Sequence, residues 1–237
     1  MKTKNRNVLI TGGTGILGSA VTKTYLAKGN TVAVTYLFDN EVERFKQHNP
    51  ELSEDVTFLF ANVTDEVEVQ NTIQEFITQF GHIDILVNVV GGFVGGIPTA
   101  ELEEERWDFM MNLNLKSVYL CCKAAIPHMT ERGYGKIVNV SARAGLKGEA
   151  RLSAYCVSKG GVRTLTESLA AEVMDSGINV NCIMPSIMDT PMNREAMPDE
   201  DHGRWVKPED VAKVIYFLTS NDSAIINGAA IPVYGRA

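Results

Sequence analysis

The chain alternates between short runs of β-branched and aliphatic residues and longer amphipathic stretches along its whole length. Short apolar runs bounded by turn residues predict buried strands, and stretches with apolar residues three and four apart predict helices. The predicted strands are residues 7–11, 31–35, 56–61, 83–88, 136–141, 179–184 and 229–233. The predicted helices lie near residues 15–28, 40–48, 65–80, 103–132, 153–175 and 208–220.

This strict alternation predicts an α/β fold with a doubly wound, seven-stranded parallel sheet, because each parallel strand needs a crossover that covers the sheet. No Pro/Gly/Ser-rich linker and no internal repeat interrupts the pattern, so we expect residues 1–237 to form a single domain. Ligands in such folds bind beyond the carboxyl ends of the strands. The functional residues are therefore expected at those ends.

A glycine-rich turn follows the first predicted strand and opens the first helix. It reads Thr11-Gly12-Gly13-Thr14-Gly15-Ile16-Leu17-Gly18. Glycines let a backbone approach a pyrophosphate, while free N–H groups and the helix dipole attract the anion. In this position the turn favours dinucleotide binding over a purely structural role.

Tyr155 and Lys159 lie four residues apart in the fifth predicted helix and so share one face. A lysine beside a tyrosine favours the phenolate, which is expected to move the phenol pKa toward the pH at which it exchanges protons with a substrate. The spacing also arises by chance on solvated helices. Together with the glycine turn, however, it indicates an acid/base catalyst.

Composition excludes several classes of function. The net charge is −7, without a lysine- or arginine-rich block suited to nucleic acid, and no run of eighteen apolar residues suits a membrane span. We therefore expect a cytoplasmic protein. The four cysteines form no Cys-x-x-Cys pair and the four histidines are scattered, so neither a metal site nor a disulfide framework is expected.

In the order of its motifs the chain resembles the short-chain dehydrogenase/reductase (SDR) family over nearly its whole length. The shared landmarks are the glycine turn, Asn88, Asn114, residues 135–145, Tyr155 with Lys159, and Pro185 with Thr190. The resemblance implies a single-domain Rossmann fold, with a cofactor half near 1–135 and a catalytic and substrate half near 136–237. It also implies an oxidoreductase that uses NAD or NADP and transfers hydride between nicotinamide and a small carbonyl or conjugated C=N substrate.

The resemblance assigns roles to individual residues. Tyr155 would be the general acid/base, Lys159 would tune it and hold the nicotinamide ribose, and Asn114 would anchor a water chain for proton relay. Thr190 would touch the nicotinamide carboxamide. The other residues implied to bind the cofactor are Gly12, Thr14, Gly15, Ile16, Leu17, Gly18, Tyr36, Asn62, Val63, Asn88, Gly91, Pro185 and Ile187.

One departure from the family affects the chemistry. The family has a catalytic serine thirteen positions before the tyrosine, where this chain has Ala142, with Ser141 one place earlier. The serine and the tyrosine normally both hydrogen-bond the substrate oxygen on which charge develops. Either Ser141 replaces the missing donor through a local register change, or the substrate delocalises the charge into its own conjugated system. Ser141 is accordingly a candidate catalytic residue.

Two departures affect the cofactor. The end of the second strand holds Tyr36, with Asp39 three residues on, where the dihydropteridine reductase branch of the family has an aspartate. Asn62 stands where the family is expected to have an acid that hydrogen-bonds the adenine. With neither that acid nor a nearby arginine, the sequence leaves NADH and NADPH undecided.

The dihydropteridine reductase branch of the family is similar to this chain at the glycine turn, the paired glycines on either side of Phe93, the non-serine residue Ala142, and the segment 189–205. A quinonoid dihydropteridine reductase is therefore one alternative function. A catalytically impaired, cofactor-binding sensor is a second, motivated by Ala142 and Asn62.

The candidate substrate residues are Phe93, Ala142, Arg143 and Met192. Phe93 could stack on a planar substrate or only cover its loop, Met192 could line an apolar wall or pack internally, and Arg143 could bind a polar substrate or lie on the surface. The apolar helix from Glu103 resembles the one through which family members dimerise. The expected partners are thus a small-molecule substrate and further copies of the chain, as a homodimer or homotetramer.

Overall fold

A computed structural model of the chain describes residues 5–237. Its seven strands form one sheet in the order β3-β2-β1-β4-β5-β6-β7, and every neighbouring pair is parallel. The strands are β1 (Asn7–Thr11), β2 (Thr31–Tyr36), β3 (Val56–Phe60), β4 (Ile85–Asn88), β5 (Gly135–Val140), β6 (Ile178–Pro185) and β7 (Ala230–Val233). The doubly wound, seven-stranded parallel sheet expected from the sequence is confirmed.

The helices cover both faces of the sheet. They are α1 (Ile16–Leu26), α2 (Asp39–His48), α3 (Glu66–Phe80), α4 (Glu104–Met111), α5 (Ser117–Arg132), α6 (Ser153–Glu172), α7 (Pro191–Ala196) and α8 (Pro208–Leu218). None of the helices described within residues 5–237 combines the length and the apolar character needed to cross a membrane.

Successive residues of each strand supply two separate cores. Leu9 of β1 packs into the core shared with α3, α5 and α6, whereas its neighbours Val8 and Ile10 pack into the core shared with α1, α2 and α8. Because both faces are covered, most strand positions are apolar, including successive ones such as Val8, Leu9 and Ile10 of β1. This explains why the strand signals in the sequence are short continuous apolar runs.

β1 is the point at which the order of the strands reverses. The chain proceeds from β1 to β2 and β3 on one side and then returns to place β4 on the other. The crevice beyond the carboxyl ends of β1 and β4 is the place where doubly wound sheets bind ligands. The glycine turn that follows Thr11 lies at that crevice.

The long helix predicted over residues 103–132 differs from the observed structure. A π-helical segment, Asn112–Lys116, separates α4 from α5. Such segments insert one extra residue into a helical turn and are common at functional sites. The short helix α7 was not predicted, because six residues are too few to show a helical period.

Candidate functional site

The glycine turn between β1 and α1 is packed closely against the end of the sheet. Gly12 has a φ of +62°, a left-handed conformation that favours glycine. A Cβ on Gly13 would lie 2.3 Å from the Val34 side chain, and one on Gly18 would lie 2.2 Å from the Gly12 carbonyl oxygen. A Cβ on Gly15 would meet nothing closer than 3.4 Å. Packing therefore requires three of these glycines, while Gly15 leaves room for a ligand to approach.

The amino-terminal end of α1 has no side-chain cap. Its N-cap residue is Gly15, and the first turn contains no acidic residue. By contrast, the Asp65 carboxylate accepts the N–H groups of Val67 and Glu68 at the start of α3. Free N–H groups together with the positive end of a helix dipole bind anions. The pyrophosphate of a dinucleotide fits this end of α1.

Side-chain hydroxyls tie the turn to both neighbouring strands. The Gly12 N–H donates to the Thr35 hydroxyl at 3.0 Å, and the Thr11 hydroxyl accepts the Val89 N–H at 3.1 Å. These contacts fix the end of β1 against the ends of β2 and β4. The crevice is thus formed by the chain itself before any ligand enters.

The other residues expected at the cofactor are spread along this crevice. Thr14 and Leu17 are buried in the turn, whereas Ile16 is half exposed. Pro185 ends β6, and the Ile187 carbonyl accepts the Val206 N–H at 3.1 Å.

Asn88 is directed into the interior. It is buried, and its amide donates to the Asn139 side-chain oxygen at 2.8 Å and to the Cys122 sulfur at 3.4 Å. Asn139 in turn donates to the Thr166 hydroxyl at 3.0 Å. This buried network joins β4, β5, α5 and α6, and it supports the site from beneath.

The residues at the adenosine end have short-range partners. The Tyr36 ring packs edge-on against Phe60, with ring centroids 5.8 Å apart. The Asn62 side-chain oxygen accepts the Thr64 N–H at 3.1 Å and its hydroxyl at 2.7 Å, and Val63 is buried beside it. Asn62 therefore uses its carbonyl oxygen to hold the turn after β3, a task that a carboxylate oxygen would also perform.

The Asn114 side chain joins the loop after β4 to α6. It is fully buried, accepts the Gly92 N–H at 2.8 Å, and donates to the Gly92 carbonyl at 3.1 Å. It also donates to the Ser158 hydroxyl at 3.1 Å. A Cβ on Gly91 would lie 2.8 Å from the Asn114 side-chain oxygen and 3.0 Å from the Lys159 ammonium nitrogen. The loop after β4, the π-helical segment and α6 thus converge on Gly91.

Lys159 is buried at this convergence, and no carboxylate among residues 5–237 pairs with it. Its Nζ donates to the Val140 carbonyl at 3.0 Å. Burial lowers the pKa of Lys159 to about 8, because the charged ammonium loses its hydration.

Tyr155 lies on the same face of α6 with its ring half-buried. The Phe93 ring packs edge-on against it, at 4.9 Å between centroids and 78° between planes. Burial raises the pKa of Tyr155 to about 12, with a smaller contribution from Cys156. The sequence led us to expect a lowered phenol pKa, and the structure differs in direction, because burial removes the solvent that would stabilise the phenolate. The phenol of the free protein is held protonated.

Ser141 does not face the phenol. Its hydroxyl is buried and donates to the Lys159 main-chain carbonyl at 2.7 Å. The strand continues without a bulge, since Val140 pairs with Ile183 and the Ser141 N–H donates to the Ile183 carbonyl at 2.9 Å. The register change that would turn the Ser141 hydroxyl into the site is absent from this part of the chain, and Ala142 follows as an extended residue with its methyl group buried.

The candidate substrate residues differ in exposure and partners. The Phe93 and Met192 side chains are 62% and 70% exposed. Arg143 is exposed, but its guanidinium donates to the Ala237 carbonyl at 2.9 Å and lies over the Tyr234 ring. Arg143 is thus occupied by a main-chain partner, while Phe93 and Met192 are available to a ligand.

Thr190 lies in the segment after β6, directly before α7. It is buried, and its hydroxyl caps α7 by accepting the Asn193 N–H at 3.2 Å. Asp189 forms a two-pronged ion pair with Arg194, at 2.5 and 2.9 Å. These contacts give the segment after β6 a defined conformation and leave Met192 on its outer surface.

The sequence reasoning missed two supports of the site. Ser158 holds Asn114, and its position inside the Tyr155–Lys159 turn could have suggested this. Arg151 has a φ of +66°, its guanidinium donates to the Gly96 carbonyl at 2.8 Å, and the Gly96 N–H donates to the Arg151 carbonyl at 3.0 Å. This reciprocal pair fixes the Phe93 loop against the start of α6. No local sequence pattern predicts the contact between Arg151 and Gly96.

Among residues 5–237, no three or more His, Cys, Asp and Glu side chains are grouped in a way that could hold a metal ion. Lys159 and Asn114 converge on Gly91, and Tyr155 lies on the same helix as Lys159, so the crevice brings these three side chains together with an uncapped helix end that fits a dinucleotide.

Comparison with known proteins shows the family of the chain. A family model described as short chain dehydrogenase matches residues 6–201. The chain is 31% identical to a 3-oxoacyl-[acyl-carrier-protein] reductase of Thermotoga maritima, over 99% of this chain and 98% of that protein. It is 31% identical to a meso-2,3-butanediol dehydrogenase of Serratia marcescens, over 100% and 96% of the two chains. A solved structure described as ElxO with NADP bound has a TM-score of 0.93 at 30% identity and covers 98% of both chains. These relatives do not favour the dihydropteridine reductase or sensor alternatives.

Proposed function

This chain belongs to the short-chain dehydrogenase family, and on that premise we propose that Tyr155, Lys159 and Asn114 carry out its reaction. It is an NAD(P)-dependent oxidoreductase that transfers hydride between nicotinamide and a carbonyl substrate. The observation that carries the assignment of residues is the convergence of Asn114 and Lys159 on Gly91, next to the uncapped end of α1.

The cofactor would be held from both ends of the crevice. The N–H groups at the start of α1 would hold the pyrophosphate, Tyr36 and Asn62 lie where the adenosine would bind, and Lys159 would hold the nicotinamide ribose. When bound, nicotinamide supplies or accepts the hydride. The residues of the chain then have to orient the substrate and move one proton.

Tyr155 moves that proton. In the reducing direction its protonated phenol hydrogen-bonds the substrate carbonyl oxygen and donates its proton as negative charge develops there. In the oxidising direction it accepts the alcohol proton. The Lys159 charge stabilises the phenolate that forms, and Asn114 fixes the loop and helix around the reacting groups. The cofactor half of the domain, near residues 1–135, and the catalytic half, near 136–237, thus meet at Gly91.

Ala142 limits the choice of substrate. The Ser141 hydroxyl donates to the Lys159 carbonyl, and Ala142 has no hydroxyl. Of the side chains at positions 141, 142 and 155, Tyr155 alone is therefore left to donate a hydrogen bond to the substrate oxygen. A carbonyl conjugated to a second carbonyl or to an unsaturated ring spreads the developing charge and depends less on a second donor. The exposed Phe93 ring beside Tyr155 suits such a planar group. We therefore place conjugated carbonyl compounds first among substrates.

The function is tested by isotope transfer. Purified protein is given NADH or NADPH deuterated at the transferable C4 position, with diacetyl, isatin or a 3-oxoacyl thioester as substrate. We expect loss of absorbance at 340 nm that depends on the carbonyl compound, with deuterium at the former carbonyl carbon of the product. Tight nucleotide binding without deuterium transfer to any of these compounds would contradict the proposal.

The quaternary structure and location form part of the proposal. Phe109, Tyr119 and Val157 are partly exposed apolar residues of α4, α5 and α6, and they suit a homodimer or homotetramer, whose mass light scattering measures. The four cysteines are buried free thiols, which is consistent with a cytoplasmic enzyme.

A further inference from the structure

A carboxylate occupies the main-chain N–H groups just beyond the end of β2. The Leu37 N–H donates to Glu41 Oε2 at 3.0 Å, and the Phe38 N–H donates to the same oxygen at 3.4 Å. Glu41 lies in the first turn of α2, together with Asp39. Two successive N–H groups that could receive an external anion are therefore already bound to an internal one.

This carboxylate lies at the strand end that selects between nicotinamide cofactors. The Gly12 N–H bonds the Thr35 hydroxyl, so the end of β2 adjoins the glycine turn. In doubly wound folds an acid at this point accepts the adenosine ribose 2′-hydroxyl, and an arginine accommodates a 2′-phosphate. Here the strand ends in Tyr36, whose ring turns toward Phe60, and so the usual group of either kind is missing.

We propose that Glu41 is a specificity-determining residue that excludes the 2′-phosphate and makes this enzyme select NAD(H) over NADP(H). Its carboxylate occupies the N–H groups that a phosphate would use, and its charge, with that of Asp39, repels a dianion. The nearest bases on α2 lie further along the helix: Arg44 is one turn on, and the Lys46 ammonium lies over the Phe58 ring. This inference rests on the proposed function, because it assumes that a dinucleotide binds along β1 and β2.

The fold alone does not decide the selection. The structure described as ElxO with NADP bound has the same fold, so the choice depends on the residues at this strand end. The contact of Glu41 also helps to cap α2, and the experiment therefore has to separate nucleotide selection from helix stability.

Isothermal titration calorimetry provides that separation. NADH and NADPH are each titrated into the wild type, Glu41→Gln and Glu43→Gln, and the dissociation constants are compared. Glu41→Gln keeps a side-chain oxygen that can accept the two N–H groups but removes the charge. Glu43→Gln makes the same charge change on the same helix, and Glu43 is exposed. Circular dichroism and urea denaturation check that α2 and the fold are retained.

We expect the wild type to bind NADH about tenfold or more tightly than NADPH. Glu41→Gln should tighten NADPH binding by about tenfold and change NADH binding by less than about twofold, while Glu43→Gln changes neither. Salt screens charge repulsion, so the wild-type preference should narrow between low and high ionic strength. If Glu41→Gln fails to fold, Leu37→Arg adds a cation at the same place without altering the cap and should also tighten NADPH binding.

The outcomes distinguish the two claims. A wild type that binds NADPH as tightly as NADH overturns this inference and leaves the proposed function intact, and so does an effect of Glu43→Gln equal to that of Glu41→Gln. Failure to bind either nucleotide overturns both.

Discussion

Restoring a hydroxyl at position 142 tests the substrate argument most informatively. Ala142→Ser places a second donor two residues beyond the end of β5, where the backbone is extended and the methyl group is buried. The added oxygen is small, and the existing Ser141 hydroxyl keeps its bond to the Lys159 carbonyl. We expect the variant to fold with the stability of the wild type.

The size of the effect follows from hydrogen-bond energies. A fully preorganised donor to a developing oxyanion lowers the activation free energy by about 2.7–4 kcal/mol. A typical protein hydrogen bond contributes a net stabilisation of about 0.5–1.5 kcal/mol. The rest of this site has adapted to alanine, so we expect about 1.4 kcal/mol, or about tenfold in kcat/KM. The gain should apply to simple ketones, which concentrate charge on oxygen. A conjugated diketone should gain less than about twofold.

The assay is steady-state oxidation of the preferred nucleotide with a simple ketone and a conjugated diketone in parallel. Ser141→Ala is the matched control: it should cost about 1 kcal/mol of unfolding free energy through the lost bond to Lys159, with kcat nearly unchanged. The reasoning is refuted if Ala142→Ser improves both substrates equally or neither, or if Ser141→Ala abolishes turnover while the protein remains folded.

Two further predictions concern the crevice itself. Burial lowers the pKa of Lys159 to about 8, below the ordinary value of about 10.4. Between pH 8 and about pH 10.4 the unfolded state therefore binds more protons than the folded state, and the contribution of this lysine to the free energy of unfolding rises with pH. Urea denaturation at pH 7 and pH 10 should show that the wild type gains about 2.5 kcal/mol of unfolding free energy relative to Lys159→Gln. A constant difference would contradict the burial of the charge. Gly18→Ala forces a Cβ to within 2.2 Å of the Gly12 carbonyl oxygen and should weaken nucleotide binding by about a hundredfold or more. The control Gly148→Ala places its Cβ in open space and should bind the nucleotide with wild-type affinity in the same titration. Equal affinities of the two variants would contradict the close packing of the turn.

The fold could be read from the sequence because both of its signals are local. Buried parallel strands are short apolar runs, the crossovers carry the helical period, and the glycine turn marks the first crossover. Strand order follows from the family resemblance and from the right-handed crossover rule. The π-helical segment around Asn114 was missed because apolar residues continue on both sides of it, so that residues 103–132 read as one helix.

The site was harder to predict where it depends on contacts distant in the chain. The sequence placed Tyr155, Lys159 and Asn114 among the candidates, but it could not show that Ser141 turns toward α6 or that Arg143 reaches Ala237. The direction of the Tyr155 pKa was also wrong from sequence, because the spacing to Lys159 is visible in one helix whereas burial depends on Phe93 and the surrounding loop. Glu41 was overlooked because its partners, Leu37 and Phe38, have no distinctive side chains.

The most direct measurement of the central claim is the single-turnover rate of Tyr155→Phe. Enzyme with prebound reduced nucleotide is mixed with substrate in a stopped-flow instrument, and absorbance at 340 nm reports hydride transfer apart from binding and product release. We expect the nucleotide dissociation constant to change by less than about threefold and the hydride-transfer rate to fall by about 10²–10⁴, the usual contribution of a general acid. Tyr119→Phe, on the exposed face of α5, should transfer hydride at the wild-type rate. A Tyr155→Phe variant that also does so would contradict the assignment of Tyr155 as the proton donor.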